Sequence, residues 1–162
     1  MAPRDHYEFE NASAIPSPLD TSIPAFFRAW DNPHSKDDDY LTFFAPDCSV
    51  VFAGVKLTGH EAIRSFRANF IDPVKGPVVN LQHTLQTCWV LAGGSNRGTQ
   101  DIIVRGSIWY VLRNERNVET DCISYMKMVD KGDGSWQAVD YEVYLCSGEI
   151  IDAVKELAME GQ

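Results

Sequence analysis

The spacing of apolar residues changes along the chain, from a helical period in the first half to a strand period in the second. Between Ile23 and Trp30 the apolar residues recur at intervals of three and four, which predicts an amphipathic helix. Gly59–Phe70 repeats this spacing, with Arg64 and Arg67 expected on the outward side. Hairpin-length separators then divide the chain into segments that we expect to be antiparallel neighbours. Four long alternating runs make up these strands: Val78–Ala92, Asp101–Leu112, Val118–Val129 and Trp136–Leu145.

Shorter segments complete the predicted order of elements. A helix is expected from Ser35, as its N-cap, to Phe44, with Pro46 after its end. A hairpin at Cys48–Thr58 and a terminal helix at Glu149–Glu160 follow from the same patterns. This order predicts an α+β fold, in which a strongly curved mixed or antiparallel sheet wraps around three helices, leaves an internal pocket and carries a C-terminal helix.

The length of 162 residues suits a single domain. Residues 1–19 lack periodicity and carry several prolines, so we expect an arm that lies over the surface or is partly disordered. Residues 20–147 are expected to form the domain itself. Residues 148–162 should then form a helix packed on or near the mouth of the pocket.

Charge and cysteine usage narrow the class of partner. The chain carries 23 acidic and 14 basic residues, a formal net charge of −9, which disfavours nucleic acid and anionic membranes as partners. No apolar run approaches the ~20 residues that span a bilayer, and the amino end lacks the apolar segment of a secretory signal, so we expect a cytoplasmic protein. The four cysteines lie far apart, without the spacing of a zinc site, and we expect no metal and no cofactor.

Inward-facing side chains of the predicted strands are the candidate site residues. On the apolar face of the first long strand, His83 is the one ionisable residue, and Tyr110 and Tyr141 face inward from later strands. Asp31 lies at the edge of the buried stripe of the first helix. An imidazole, a carboxylate and two phenols suit proton transfer. The expected substrate-binding residues are Trp30, Phe52, Phe66, Trp89, Thr120, Cys122 and Ser124.

Each candidate residue could also have a purely structural role. His83 could be a hydrogen-bonded core histidine, and Asp31 a helix-terminal residue turned to water. Tyr110 and Tyr141 could simply pack and bond to backbone groups. His34 is expected in an exposed linker. One bulge in any strand would exchange its inward and outward faces beyond that point.

Several short motifs resemble the SnoaL-like branch of the NTF2-like superfamily. The resemblance covers roughly residues 21–145 and implies a cone-shaped α+β fold, often dimeric through the outer face of the sheet. Members of this branch include cofactor-free cyclases, isomerases, dehydratases and epoxide hydrolases, and others have no catalytic role. The resemblance therefore implies one of these activities or a non-catalytic role. The motifs are Phe26-Phe27-Arg28-Ala29-Trp30, Phe44-Ala45-Pro46-Asp47, Leu57-Thr58-Gly59-His60-Glu61-Ala62-Ile63-Arg64 and Asp133-Gly134-Ser135-Trp136-Gln137-Ala138.

Within that superfamily, parts of the chain are similar to the fungal scytalone dehydratases. His83 falls where that family keeps a catalytic histidine. The family's Tyr-Asp pair is Pro33-His34 here, the tyrosine that closes its first strand is Phe52, and its second catalytic histidine has an aliphatic counterpart near Leu112. The resemblance therefore implies a shared pocket without dehydration of scytalone itself. It rests on Ser35-Lys36-Asp37, Ala45-Pro46 and Leu81-Gln82-His83.

These observations predict a cofactor-independent enzyme that acts on a hydrophobic, oxygenated natural-product intermediate by isomerisation, cyclisation or dehydration in secondary-metabolite biosynthesis. His83 would be the general base or acid, Asp31 its orienting partner, and Tyr110 and Tyr141 donors to a developing enolate or leaving oxygen. The alternative is a non-catalytic module for small-molecule binding or dimerisation. A second alternative is an epoxide hydrolase, although few carboxylates are among the side chains predicted to face the interior. A homodimer through the outer sheet face is the expected assembly.

Overall fold

A computed structural model describes residues 7–33, 38–92 and 98–160. These residues form three α-helices, six β-strands and two short 3₁₀ turns. The helices are α1 (Leu19–Asp31), α2 (Gly59–Phe70) and α3 (Glu149–Glu160). The strands are β1 (Phe44–Phe52), β2 (Val55–Thr58), β3 (Val78–Val90), β4 (Thr99–Leu112), β5 (Asn117–Asp130) and β6 (Trp136–Leu145). The 3₁₀ turns are Ala12–Ala14 and Asp39–Phe43.

All six strands belong to one sheet, in the spatial order β2-β1-β6-β5-β4-β3. Strands β3 to β6 form the expected antiparallel meander, while β1 pairs with β6 in parallel. The helices α1 and α2 pack on one face of this sheet, against β3 and β1 respectively. The predicted α+β architecture, a curved mixed sheet around helices, is therefore confirmed.

The helix predicted from Ser35 to Phe44 is wrong over its described residues, 38–44. These residues form the 3₁₀ turn Asp39–Phe43, and Phe44 already begins β1. Pro46 explains the extended backbone, because a residue that precedes proline avoids the helical region. The sheet accommodates Pro46 where the β1–β6 register is irregular, between Phe44 and Ser49. Ser35, with His34 and Asp37, lies outside the described residues.

A bulge in β3 changes the predicted faces of that strand. The register against β4 shifts between Leu85 and Thr87. Beyond the shift, Cys88 is buried and Trp89 is 45% exposed. The prediction that Trp89 faces the interior is therefore wrong, because the extra residue moves each later side chain to the opposite face.

From residue 7 onward, the N-terminal arm packs into the core rather than lying loosely over it. Tyr7, Phe9 and Ile15 are buried in the main apolar cluster of the protein. At the opposite end of the chain, α3 buries Ile150 and Leu157 in a second cluster. No helix of the described residues has the length and apolar character to cross a membrane.

Candidate active site

His83 and Asp31 form a buried pair. His83 lies in the middle of β3, and Asp31 is the last residue of α1. Their side chains are 4% and 3% exposed, and Nδ1 of His83 lies 2.6 Å from Oδ1 of Asp31. The backbone N–H of His83 donates to Oδ2 of Asp31, also at 2.6 Å. One carboxylate therefore holds both the backbone and the ring of the histidine.

The Asp31 carboxylate determines which ring nitrogen of His83 is available for chemistry. An ionised carboxylate only accepts hydrogen bonds, so Nδ1 carries the hydrogen in this contact. In the neutral ring Nε2 is then the unprotonated nitrogen, with a lone pair that can take a proton. Phe27 packs against the same ring, with centroids 4.8 Å apart. The imidazole is thus held in one tautomer and one orientation.

Tyr7 is a third member of this group, and its role is not apparent from the sequence. Its phenol donates a hydrogen bond of 2.6 Å to Oδ2 of Asp31. No periodic pattern connects the arm to helix α1, so only the folded structure brings the two residues together. A lone tyrosine next to charged residues carries no signal in the sequence that would have identified it.

Arg67 supports the same region from α2, so the prediction that it points outward is wrong. The residue is 5% exposed, and its Nη2 donates to the carbonyl oxygens of Trp30 and Asn32 at 3.0 and 2.6 Å. Its guanidinium also lies 4.5 Å from the centre of the Tyr40 ring. Burial lowers the pKa of Arg67, while nearby Tyr40 and Asp31 favour the charged form. Arg67 lies four residues after the buried Ile63, a spacing that places both side chains on the same face of α2.

An apolar cavity adjoins the His83 ring. The volume of this cavity, about 20 Å³, is about enough for one water molecule. A larger ligand therefore requires the aromatic side chains of the lining to move. Six predicted site residues line the cavity, namely His83, Tyr110, Tyr141, Trp30, Phe52 and Phe66. The other lining residues are Val50, Phe70, Leu81, Ile108 and Val143.

The remaining predicted substrate-binding residues lie outside this lining. Trp89 is on the outer face of the sheet. Thr120, Cys122 and Ser124 are buried on β5 but do not line the cavity. The Thr120 hydroxyl lies 3.1 Å from Oγ of Ser147.

The two tyrosines of the cavity retain their protons. Burial raises the pKa of the Tyr110 phenol well above its ordinary value. Burial also raises the pKa of Tyr141, although the Ser124 hydroxyl partly opposes this effect. Both phenols are therefore neutral over the physiological pH range and can donate a hydrogen bond to an oxygen atom in the cavity.

A wider groove of about 370 Å³ lies on the surface between the β1–β2 turn, the end of β6 and the start of α3. Val143 lines both this groove and the inner cavity, so the two lie next to each other. Among the described residues, no three His, Cys, Asp or Glu side chains are grouped so that they could hold a metal ion.

The sequence matches no protein-family model and no curated protein. Solved structures nevertheless share the fold. A candidate scytalone dehydratase from Novosphingobium aromaticivorans DSM 12444 superposes with a TM-score of 0.66 at 13% identity, over 80% of this chain and 82% of that chain. The LinA-type3 hexachlorocyclohexane dehydrochlorinase from Novosphingobium barchaimii LL02 gives a TM-score of 0.63 at 11% identity, over 78% of this chain and 85% of that chain.

Two further solved structures share the fold. The CaMKII hub of S. rosetta gives a TM-score of 0.60 at 17% identity, over 77% of this chain and 92% of that chain. An NTF2-like protein from Exiguobacterium sp. 255-15 gives 0.56 at 16% identity, over 77% of this chain and 98% of that chain. Identities this low relate the proteins by fold alone. The chain therefore has the NTF2-like fold that its sequence motifs resemble.

Proposed function

We propose that the protein is a cofactor-independent enzyme that moves or removes a carbon-bound proton of a small, apolar, oxygenated molecule. The buried Asp31–His83 pair beside an apolar cavity is the observation that carries this proposal. A general base must lie within reach of its proton and be held in a defined orientation. Asp31 supplies that orientation, and His83 Nε2 supplies the base.

The reaction would begin with proton transfer from carbon to Nε2 of His83. Asp31 stabilises the imidazolium that forms, because its carboxylate remains hydrogen-bonded at Nδ1. The electron pair left on carbon moves towards a carbonyl oxygen, which Tyr110 or Tyr141 stabilises by donating a hydrogen bond. Return of the proton at another carbon gives isomerisation, and departure of a leaving group gives elimination.

The character of the lining supports a neutral substrate. Apart from His83, the side chains around the cavity are aliphatic, aromatic or phenolic. An apolar cavity binds apolar surface favourably and penalises an unpaired charge. We therefore propose a neutral natural-product intermediate in cytoplasmic secondary metabolism as the substrate class. Epoxide hydrolysis has less support, because no carboxylate is among the lining residues.

Two structural neighbours support elimination as a reaction type. Their names describe a dehydratase and a dehydrochlorinase, whose reactions remove water and hydrogen chloride. Both reactions remove a proton together with a leaving group. Tyr110 and Tyr141 could assist an oxygen leaving group as proton-retaining donors.

Hydrogen–deuterium exchange tests the proposed proton abstraction. The probe is 2-tetralone, a neutral bicyclic ketone, and ¹H NMR in D₂O follows the loss of its carbon-bound protons next to the carbonyl. We expect the protein to accelerate this exchange and His83→Gln to reduce the acceleration by roughly 10²–10⁴-fold, the usual contribution of a general base. His60→Gln is the matched control, because the His60 ring instead contacts the carbonyl oxygen of Phe44. Equal acceleration by the protein and His83→Gln would exclude His83 as the base.

A second candidate function is a non-catalytic assembly module that dimerises through the outer face of the sheet. Apolar side chains on this face favour it, since Trp89, Ile123 and Tyr144 are 45, 43 and 56% exposed. Ile123 and Tyr144 are cross-strand neighbours, so they form a continuous patch. A hub structure among the neighbours supports assembly as a use of this fold. A homodimer is compatible with either function, because the patch and the cavity lie on opposite faces of the sheet.

A further inference from the structure

Residues 7–15 form a strap along β3, which is an edge strand of the sheet. The backbone N–H of Glu10 donates to the carbonyl oxygen of Gln86 at 2.8 Å. The side-chain amide of Asn11 donates to the carbonyl oxygen of Cys88 at 2.7 Å and accepts from its N–H at 3.1 Å. These three hydrogen bonds attach the strap to β3 next to the bulge.

The strap delivers Tyr7 to the carboxylate that holds His83. The Tyr7 phenol and the backbone N–H of His83 both donate to Oδ2 of Asp31, and the His83 ring contacts Oδ1. Tyr7 is 9% exposed, and the guanidinium of Arg28 lies 5.1 Å from the centre of its ring. The phenolic hydrogen therefore faces the same negative charge that acts on the imidazole.

We propose that Tyr7 is a positioning residue that sets the proton affinity of His83 through Asp31, which makes the N-terminal strap part of the site. A carboxylate that accepts an additional short hydrogen bond has less negative charge available to stabilise a neighbouring cation. Tyr7 thus keeps the imidazolium from becoming too stable to give up its proton. The consequence for turnover rests on the proposed function, whereas the effect on protonation does not.

Other groups also act on this pair and must stay constant in a test. Arg28 lies over the Tyr7 ring. The ionisable groups Arg67, Tyr110, Cys122 and Tyr141 interact electrostatically with Asp31. Removal of the Tyr7 hydroxyl alone leaves all of these groups in place, so a change in His83 protonation reports on that hydroxyl.

The test compares Tyr7→Phe with Tyr125→Phe. Tyr125 is a matched control, because its phenol donates to a carboxylate oxygen of Asp101 at 2.7 Å. NMR of the imidazole carbons follows protonation, and His83→Gln identifies the His83 signal among the four histidines. We expect Tyr7→Phe to raise the midpoint of the His83 titration by about half a pH unit or more, roughly a threefold gain in proton affinity. Tyr125→Phe should leave the midpoint unchanged.

An unchanged or lowered midpoint in folded Tyr7→Phe would overturn the proposal, as would an equal shift in Tyr125→Phe. Asn11→Ala is a second variant in case Tyr7→Phe does not fold, because it keeps the phenol and removes two bonds of the strap. It should raise the midpoint in the same direction, and no shift in this variant would also contradict the proposal. The titration needs no substrate, so its outcome is independent of whether the protein proves to be an enzyme.

Discussion

Arg67 places a positive charge beside the C-terminal end of α1, where Asp31 adds a negative one. The end of a helix carries partial negative charge on its free carbonyl groups, so a carboxylate there is unfavourable without compensation. Arg67 provides it by binding the carbonyl oxygens of Trp30 and Asn32, the residues on either side of Asp31. The arginine thereby stabilises the helix end from which the carboxylate reaches His83.

Substitution of Arg67 should destabilise the protein much more than substitution of Arg64 on the same helix. We expect Arg67→Met to lower the free energy of unfolding by about 2–4 kcal/mol, because two carbonyl groups lose a buried donor and the contact with Tyr40 is lost. Arg64→Met should cost less than about 1 kcal/mol, because its ion pairs with Asp38 and Glu61 are largely exposed. Urea unfolding of both variants measures the difference, and equal costs would contradict the role of Arg67.

At this scale, the sequence allowed prediction of those site residues that lie on a periodic face. His83 is the ionisable member of an apolar strand face, and Asp31 follows the buried stripe of its helix, so both could be identified. Tyr7 could not, because its contact with Asp31 joins an aperiodic arm to a helix end. The prediction that Trp89 faces inward is wrong because a bulge earlier in β3 interrupts the alternation of inward and outward side chains.

The bulge in β3 depends on its partner strand. Gly106 in β4 faces the register shift between Leu85 and Thr87. A Cβ atom at Gly106 would lie 2.4 Å from the carbonyl oxygen of Thr84, which is closer than van der Waals contact permits. The two strands can therefore approach each other here only because residue 106 has no side chain. This approach turns Trp89 outward while His83 remains inside.

Gly106→Ala should disrupt the pairing of β3 with β4. We expect it to lower the free energy of unfolding by more than about 2 kcal/mol, because the obstructing atom belongs to the backbone and cannot rotate away. Gly132→Ala is the comparison, since a Cβ atom there has open space and meets only the strain of a positive φ of 82°, about 1 kcal/mol. Thermal unfolding monitored by circular dichroism measures both, and a smaller loss for Gly106→Ala would show that the strands can separate at low cost.

The accuracy of the predicted elements follows how strongly periodic each segment is. The bounds predicted for α2, β6 and α3 agree with the structure. The helix predicted around Phe44 is wrong because the aromatic residues there fit a helical stripe as well as a strand. The backbone restriction before Pro46 decides between the two. The parallel pairing of β1 with β6 was also beyond sequence patterns, because the two strands lie far apart in the chain.

For the whole molecule, the apolar patch on the outer sheet predicts how two copies would assemble. We expect the wild-type protein to sediment at twice its monomer mass of 18.2 kDa and Ile123→Arg to sediment as a monomer, because a second arginine opposite the exposed Arg105 brings like charges into the interface. Val74→Arg is the control, since Val74 is 75% exposed but lies outside the sheet. Analytical ultracentrifugation distinguishes the two masses. A monomeric wild-type protein would remove the dimer proposal while leaving that of the enzyme intact.

Three buried thiols make the stability of the whole molecule sensitive to alkaline pH. Burial raises the pKa of Cys122 to about 12 from an ordinary 9.0, so this thiol stays protonated in the folded protein when it would ionise in the unfolded chain. Its contribution to the free energy of unfolding is therefore complete below pH 9.0 and is lost as the pH rises towards 12. Burial raises the pKa of Cys48 to about 12 and of Cys88 to about 11, with the same sign.

The loss of stability between about pH 7.5 and pH 10.5 should therefore be smaller in Cys122→Ala than in the wild-type protein, by about 2 kcal/mol. Cys146→Ala should change this loss much less, because Cys146 is exposed and contributes less than burial does to the raised pKa of Cys122. Urea unfolding at the two pH values gives the comparison, and it cancels the constant cost of the missing sulfur atom. An identical loss in Cys122→Ala and the wild-type protein would mean that the thiol ionises as readily in the folded protein as in the unfolded chain.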